Sequence, residues 1–413
     1  MKLNKLIRMT ALSAALVGSV SYATSNDALL DLLVKKGVLT DSEATAVAAE
    51  LKEENKGVTF SSKGKETVKL RFNGRMHFQY DSLDSEDNGR DVASTNHFYF
   101  RRLRLGAKAT HENGLFAETV LDLARDGNND EPNYGVSIDK AVAGYEFSDA
   151  FTGMVGYQKV PFGFQETTSS SKIKTIERSA SNRFLADDID FAGRHTGLHA
   201  KGTLGGGFSY AAAIVNGAQG EGSRLLGTAQ ASNDLAAFGR VQWAGNDLTL
   251  GVDAGHQSNN DKIKIDLTPG DDGDDVFAPQ DVTAFTAYAN YKFEGFDILG
   301  EYFSADMDGQ EDAEGYSLRV AYKLDKFEPV FRYSHLKNDA FEIDADELIR
   351  RAPSDGARAT GGDNEIDSYY FGLNYYYNKA VSLMAGYEMA ETDSDDGDEV
   401  EIDGLRARLQ ILW

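Results

Sequence analysis

Between Lys159 and Arg194 the chain reads KVPFGFQETTSSSKIKTIERSASNRFLADDIDFAGR, a polar stretch that carries Lys172, Lys174, Arg178 and Arg183 close together. Such cations bind oxyanions: arginine offers a planar fork of N–H donors and lysine a compact point charge. The hydroxyls of Ser169, Ser170 and Ser171 add neutral donors beside them. From 167 to 184 the four bases face Glu177 alone, with Asp187, Asp188 and Asp190 following. A connection of this length inside a compact domain is usually functional. The competing reading is a surface loop whose charges cancel in ion pairs.

A second basic group is spread over three segments, 67–80, 97–110 and 405–413, which hold no Asp or Glu. In 67–80, Val68, Leu70, Phe72, Met76, Phe78 and Tyr80 alternate with Lys69, Arg71, Arg75, His77 and Gln79. This period of two is that of a half-buried strand. On that alternation Lys69, Arg71, Arg75, Arg102, Arg104, Lys108, Arg406 and Arg408 share the non-apolar face. Arg101 breaks the parity, which predicts a β-bulge in 97–110 or a later entry of that strand into the membrane.

The elements that must position these residues repeat along the chain. Similar alternating segments, about sixteen in all, run from 67–80 to 405–413, an even number of the kind used by outer-membrane barrels. Their connections alternate between short ones, such as Asn113-Gly114, Glu294-Gly295 and Asn378-Lys379, and long ones at 81–96, 124–135, 159–194, 216–234, 258–281, 306–312, 336–367 and 392–404. Short periplasmic turns and long outer loops are the pattern of a transmembrane barrel. The fold expected is therefore all-β: a transmembrane antiparallel β-barrel at 67–413, with 159–194 folded into its lumen. First and last strands pair in a closed barrel, so the basic segments would form one wall facing the lumen, where lipid does not penalise charge.

Ahead of the barrel, Lys2, Lys5 and Arg8 precede the apolar stretch Met9–Val20 and the small-x-small site Ser21-Tyr22-Ala23, which predicts a cleaved signal peptide at 1–23. Residues 24–57 predict a short helical, coiled-coil-like segment, with Leu29, Leu30, Leu33, Val47 and Leu51 on apolar stripes and Thr40 and Glu43 as a capping box. Residues 58–66 are expected to be a linker. The 413 residues contain no Cys, so stability has to come from something other than disulfides. Losing the leader would take the formal net charge from −24 to about −27. The acids concentrate in the expected outer loops, as in Asp393, Asp395, Asp396, Asp398, Glu399, Glu401 and Asp403. They lack a full Ca²⁺-loop spacing, so solvated loops are expected and no metal site or cofactor. There is no G-x-S-x-G, H-E-x-x-H or cysteine nucleophile, and no enzyme is expected.

Three runs carry a family resemblance: Arg102-Leu103-Arg104-Leu105-Gly106, Gln158–Phe164 leading into Thr168-Ser169-Ser170, and Ile176-Glu177-Arg178-Ser179. They resemble the phosphate-selective porin O and P family, and the helical prelude and the ending Leu405–Trp413 fit it too. The resemblance implies a sixteen-stranded homotrimeric porin of the bacterial outer membrane, set among lipid and lipopolysaccharide. An inward third loop and a basic ladder would draw phosphate or related anions to a constriction. The aromatic end at Trp413 resembles the signal read by the barrel assembly machinery. The function expected is passive uptake of small anions, with Lys172, Lys174, Arg178 and Arg183 at the constriction. The alternative is a general diffusion pore for small polar solutes, in which the basic wall only sets a field opposite acids. Nucleic acid is not an expected partner.

Overall fold

A computed structural model describes residues 58–61, 67–124, 136–217, 235–258, 264–266, 275–277, 281–307, 312–338, 345–353, 364–394 and 399–413. The expected signal peptide and helical segment lie outside the described residues, as do 62–66 of the expected linker. Val58–Ser61 is a short strand.

Sixteen antiparallel strands close into a barrel. They are β1 (Thr67–Asp87), β2 (Arg90–His111), β3 (Leu115–Asp122), β4 (Ser137–Ser148), β5 (Phe151–Lys159), β6 (Arg194–Gly205), β7 (Phe208–Asn216) and β8 (Leu235–Gly245). There follow β9 (Leu248–Ser258), β10 (Asp281–Phe293), β11 (Phe296–Met307), β12 (Ala313–Tyr322), β13 (Phe327–Asn338), β14 (Asn364–Tyr376), β15 (Val381–Ser394) and β16 (Glu399–Leu412). Each pairs with its sequence neighbours, and β16 closes on β1 with Arg408 opposite Gln79 and Arg406 opposite Asp81. Closure leaves no strand edge unpaired, the condition for crossing a bilayer with sheet. Alternation sorts the faces. Phe72 (66 % exposed), Phe98, Val155, Leu198, Ile214 and Phe371 point outward, while His77, Gln79, Asp253, Glu328, Arg332 and Arg406 are buried inside.

Two connections expected to be long loops are largely strand. Residues 81–96 form the top of the β1–β2 hairpin, turned by Asn88 (φ 50°) and Gly89 (φ 70°). Two successive left-handed residues make the tight turn that matches strand twist, and Asn-Gly suits it best. Residues 392–404 likewise continue β15 to Ser394 and start β16 at Glu399. The acids there stand on sheet: Asp367 lies opposite Glu391, Glu391 opposite Glu401, and Glu401 opposite Glu86. Such like-charge rows disfavour pairing.

Towards the long-loop end the inward face turns apolar. Leu83, Val215, Phe238, Val282, Met307, Leu336, Ile366, Val400 and Ile402 are buried there in one cluster with Val160, Phe162, Phe184, Leu185 and Phe191 of the 159–194 segment. A short helix α3 (Ala345–Leu348) from the β13–β14 connection joins the same cluster through Ala345, Leu348 and Ile349.

Candidate functional site

Two bulges change which side chains reach the lumen. The β1–β2 register skips Arg101 between Phe100, opposite Phe78, and Arg102, opposite His77. Both Arg101 and Arg102 are consequently buried inside, at 8 % and 6 % exposure. The broken parity seen in the sequence is therefore a bulge. On β4 the register skips Asp139 between Ile138, opposite Leu121, and Lys140, opposite Val120. Asp139 and Lys140 each reach lumen partners, Arg104 and Glu118.

The 159–194 segment crosses the lumen and is tied to walls on opposite sides. It contains α1 (Phe164–Thr167), α2 (Ala180–Arg183) and a π turn (Phe184–Asp188). Gly163, at φ 74°, supplies the left-handed turn before α1 and donates its N–H to Asp253 Oδ2 at 2.9 Å. Arg240 holds that carboxylate (2.6 Å) and also donates to Thr167 Oγ1 and the Gly163 carbonyl. The Phe164 and Gln165 amides donate to Glu301, and Gln165 Nε2 to Ser317 Oγ. Lys174 pairs with Glu328 (2.6 Å) while its carbonyl accepts from Asn374. Opposite, Arg75 donates to the hydroxyls of Ser169 (2.9 Å) and Ser170.

Glu177 is the deepest of these ties. Its carboxylate pairs with Arg101 and Arg408, each at 2.8 Å, and its carbonyl accepts from Arg332 at 2.9 Å. Arg332 and Arg406 share Glu388, and Arg406 also meets Asp81. Burial opposes ionisation of Glu177, but Arg101, Arg408 and Arg102 outweigh it and hold the carboxyl well below the usual range. Burial opposes Glu166 too, yet Arg178 and Lys159 hold it at about 2. A depressed carboxyl pKa contributes stability that is complete above its unfolded value and lost as pH falls through the folded one. Single-channel conductance should thus stay constant from pH 7 to about 5, and loop release should set in only below about pH 4, towards 2. Loop release already at pH 6 would contradict these ion pairs.

Between this segment and the wall β1–β6 lies a cavity of ≈ 520 Å³. Seven cationic side chains line it (Arg75, Arg102, Arg104, Lys140, Lys159, Arg178 and Arg194), with Glu118 and Asp139 as its acids and Thr167–Ser171 supplying hydroxyls. Most of the charges are engaged. Arg104 pairs with Asp122 and Asp139, Arg194 with Asp139, Lys140 with Glu118, and Lys159 with Glu166. Arg178 meets Glu166 at 3.3 Å and donates to the Gln165 and Thr168 carbonyls. Arg102 differs: Nε and Nη1 of its buried guanidinium have no hydrogen-bond partner among the described residues. A buried cation left in this way favours any anion that enters.

The structure brings together Arg75, Arg102, Arg104 and Arg178 of the residues singled out from sequence. Arg406 and Arg408 lie buried in the Glu177–Glu388 network. Lys174 faces Glu328, Lys172 is exposed, and Arg183 is buried against Asp187 at 3.0 Å. Lys69, Arg71 and Lys108 sit nearer the short-turn end, with Arg71 opposite Lys108 and Lys108 over the Phe116 ring. None of these three lines the cavity. Sequence reasoning missed Lys140, brought in by a bulge no pattern announced, and gave no role to Lys159 and Arg194, whose places bounding the 159–194 segment were a usable signal.

A model of the family "Phosphate-selective porin O and P" matches residues 70–270. Porin O of Pseudomonas aeruginosa is 24 % identical over 83 % of this chain and 88 % of its own length. Among solved structures, the anion-selective porin of Comamonas acidovorans has a TM-score of 0.58 at 14 % identity, covering 84 % of this chain and all of that one. The trimer form of OmpT, an outer-membrane protein of Vibrio cholerae, has a TM-score of 0.53 at 15 % identity, covering 84 % of this chain and 99 % of that one. With this barrel, the matches make the protein an outer-membrane channel rather than an enzyme, one similar over residues 70–270 to the phosphate-selective porin O and P family.

Proposed function

We propose that the channel takes up small anions passively, with oxyanions such as phosphate as its preferred class. The observation that carries this reading is the buried Arg102 guanidinium, whose Nε and Nη1 have no hydrogen-bond partner among the described residues, in a cavity lined by seven cations and two acids. Around it Arg75, Ser169 and Ser170 add donors within one hydrogen-bonded group. Binding has to stay weak enough for release, and the ion pairs of Arg104, Lys140 and Arg194 temper the field accordingly. The acids on the outer strands do not oppose this, since exposed charges are screened beyond about 8 Å in physiological salt. Support also comes from the anion selectivity named for the Comamonas porin and the phosphate selectivity named for the family.

The same reading includes export by a cleaved signal peptide, insertion by the barrel assembly machinery, and a homotrimer among lipid and lipopolysaccharide. The trimer form of the Vibrio neighbour supports the last of these. Recording in a planar bilayer tests the central claim. A KCl gradient should give a zero-current potential of anion sign, and added phosphate should block chloride current. A potential of cation sign would refute it. Anion preference without phosphate block would leave a general diffusion pore.

A further inference from the structure

Inside a closed barrel, a half-buried side chain on the inner face meets water, because lipid takes the outer face. Such positions are concentrated on one side. On β13 every second residue from Glu328 to Asn338 is buried, and on β15 every second residue from Ser382 to Thr392. The 159–194 segment covers that side, with Ser181 on Ser334 and Lys174 on Glu328. On β2 the inward Ala93, Thr95, His97 and Tyr99 are only half-buried, as are Phe116, Glu118 and Val120 on β3. We propose that solutes cross along β2, on a track with Thr95, His97 and Tyr99 as its outer half, Arg102 and Arg104 at its middle and Lys108 as its inner half, and that the wall β12–β15 carries no current.

The bulge at Arg101 makes the track continuous. Above it the odd-numbered residues face the lumen, with Tyr99 opposite Gln79 and His97 opposite Asp81; below it the even-numbered ones do, with Arg104 opposite Arg75. Tyr99 is turned inward, donating its O–H to Asp81 Oδ2 at 2.6 Å. The His97 ring stacks on it at 5.0 Å, and the Arg351 guanidinium lies 4.1 Å over the same Tyr99 ring. Thr95 Oγ1 and His97 Nδ1 share one hydrogen bond of 2.7 Å. If the hydroxyl donates, the imidazole keeps an Nε2–H; if the ring donates, the hydroxyl keeps its O–H. In either tautomer the pair keeps one neutral donor. At the inner end Lys108 stands between Arg71 and Glu118 in the register, and Lys140 holds Glu118 at 2.8 Å. A solute thus meets a neutral donor first, then guanidiniums, then an ammonium. Graded contacts of this kind replace hydration stepwise and let the solute leave again.

The chain has no cysteine, so a single introduced one reports on its own position. In the full mature protein in a planar bilayer, an impermeant anionic thiol reagent should cut the single-channel current of Thr95→Cys at least about two-fold, since the attached group narrows the track and repels anions. Lys108→Cys should respond likewise. Ser368→Cys, buried on β14 opposite Ser334, should react at least about ten-fold more slowly and keep its current. Unchanged current in Thr95→Cys and Lys108→Cys would overturn the proposal. So would Ser368→Cys labelled and blocked as fast as they are. If Thr95→Cys does not fold, His97→Cys with the same readouts decides. The track rests on the chain being a channel and not on its anion preference. A cationic reagent that blocks Thr95→Cys faster than the anionic one would refute the anion reading and still support the track.

Discussion

Glu177→Gln should release the inward segment from the barrel wall. The substitution keeps the size of the side chain and removes the charge that Arg101 and Arg408 share, in a site where the Glu177 side chain is 4 % exposed. Breaking a buried pair by neutralising one partner costs about 3–5 kcal/mol, because the other charge is left uncompensated. Here two guanidiniums are left, with Arg102 and Arg332 close by and Arg332 still bound to the Glu177 carbonyl. The barrel should survive, since its strands are held by the closed hydrogen-bonded ladder. Trypsin should then cut at Lys172, Lys174, Arg178 or Arg183 in folded protein, and single-channel current should become larger and noisier. Glu401→Gln is the control: it faces outward opposite Glu86 and should relieve repulsion without touching the lumen. A Glu177→Gln channel as protease-resistant and as quiet as the native one would show that the carboxylate does not hold the segment.

The barrel was legible because its signal is repeated. Alternation at 67–80 recurs at every strand, and closure between 405–413 and 67–80 follows once the strands form one sheet. The bulge at Arg101 was legible for the opposite reason, as a fault in an otherwise regular pattern. Strand limits were read less well. Asn88-Gly89 is a strong hairpin signal, but the acids around it made 81–96 look like loop. The acids of 392–404 likewise hid how far β15 and β16, both expected from sequence, extend beyond 391 and before 405, where outward charge is compatible with strand.

The site was legible in composition but not in partnership. Eight strand cations and four loop cations stood out, yet the acids that claim them are far away in sequence: Glu328 for Lys174, Glu388 for Arg406, Asp139 for Arg104. Glu177 looked like a lone acid in a basic loop, and it is the residue on which Arg101 and Arg408 converge. Arg178 belongs to the loop motif and lines the cavity, but most of its donors go to the loop's own carbonyls. The short helix Ala345–Leu348 was missed because Asp344, Asp346 and Glu347 interrupt an apolar pattern too short to stand out against its polar surroundings.

Arg102→Gln should weaken anion binding and stabilise the empty barrel at the same time. The native guanidinium is 6 % exposed, with Nε and Nη1 unpartnered and Arg101, Arg104 and Arg178 nearby. In the empty protein that arrangement is a cost, since two buried donors have no hydrogen-bond partner among the described residues and the nearby Glu177 carboxylate is taken by Arg101 and Arg408. An entering oxyanion removes the cost and gains the hydrogen bonds of a charged donor, about 1.5–3 kcal/mol. Losing them should raise the phosphate concentration for half-block of chloride current by at least about ten-fold, the equivalent of about 1.4 kcal/mol. Without ligand the variant should melt at a higher temperature than the native protein, whereas added phosphate should raise the native melting temperature more than the variant's. Arg102→Lys keeps the charge but not the fork, so its block should fall between the two. The paired signs separate this role from a merely structural one, because a residue that only braces the wall would lower the melting temperature when replaced. Native block with Arg102→Gln, or a lower melting point without ligand, would remove Arg102 from the anion path and leave Arg75 and Ser169–Ser170 to carry it.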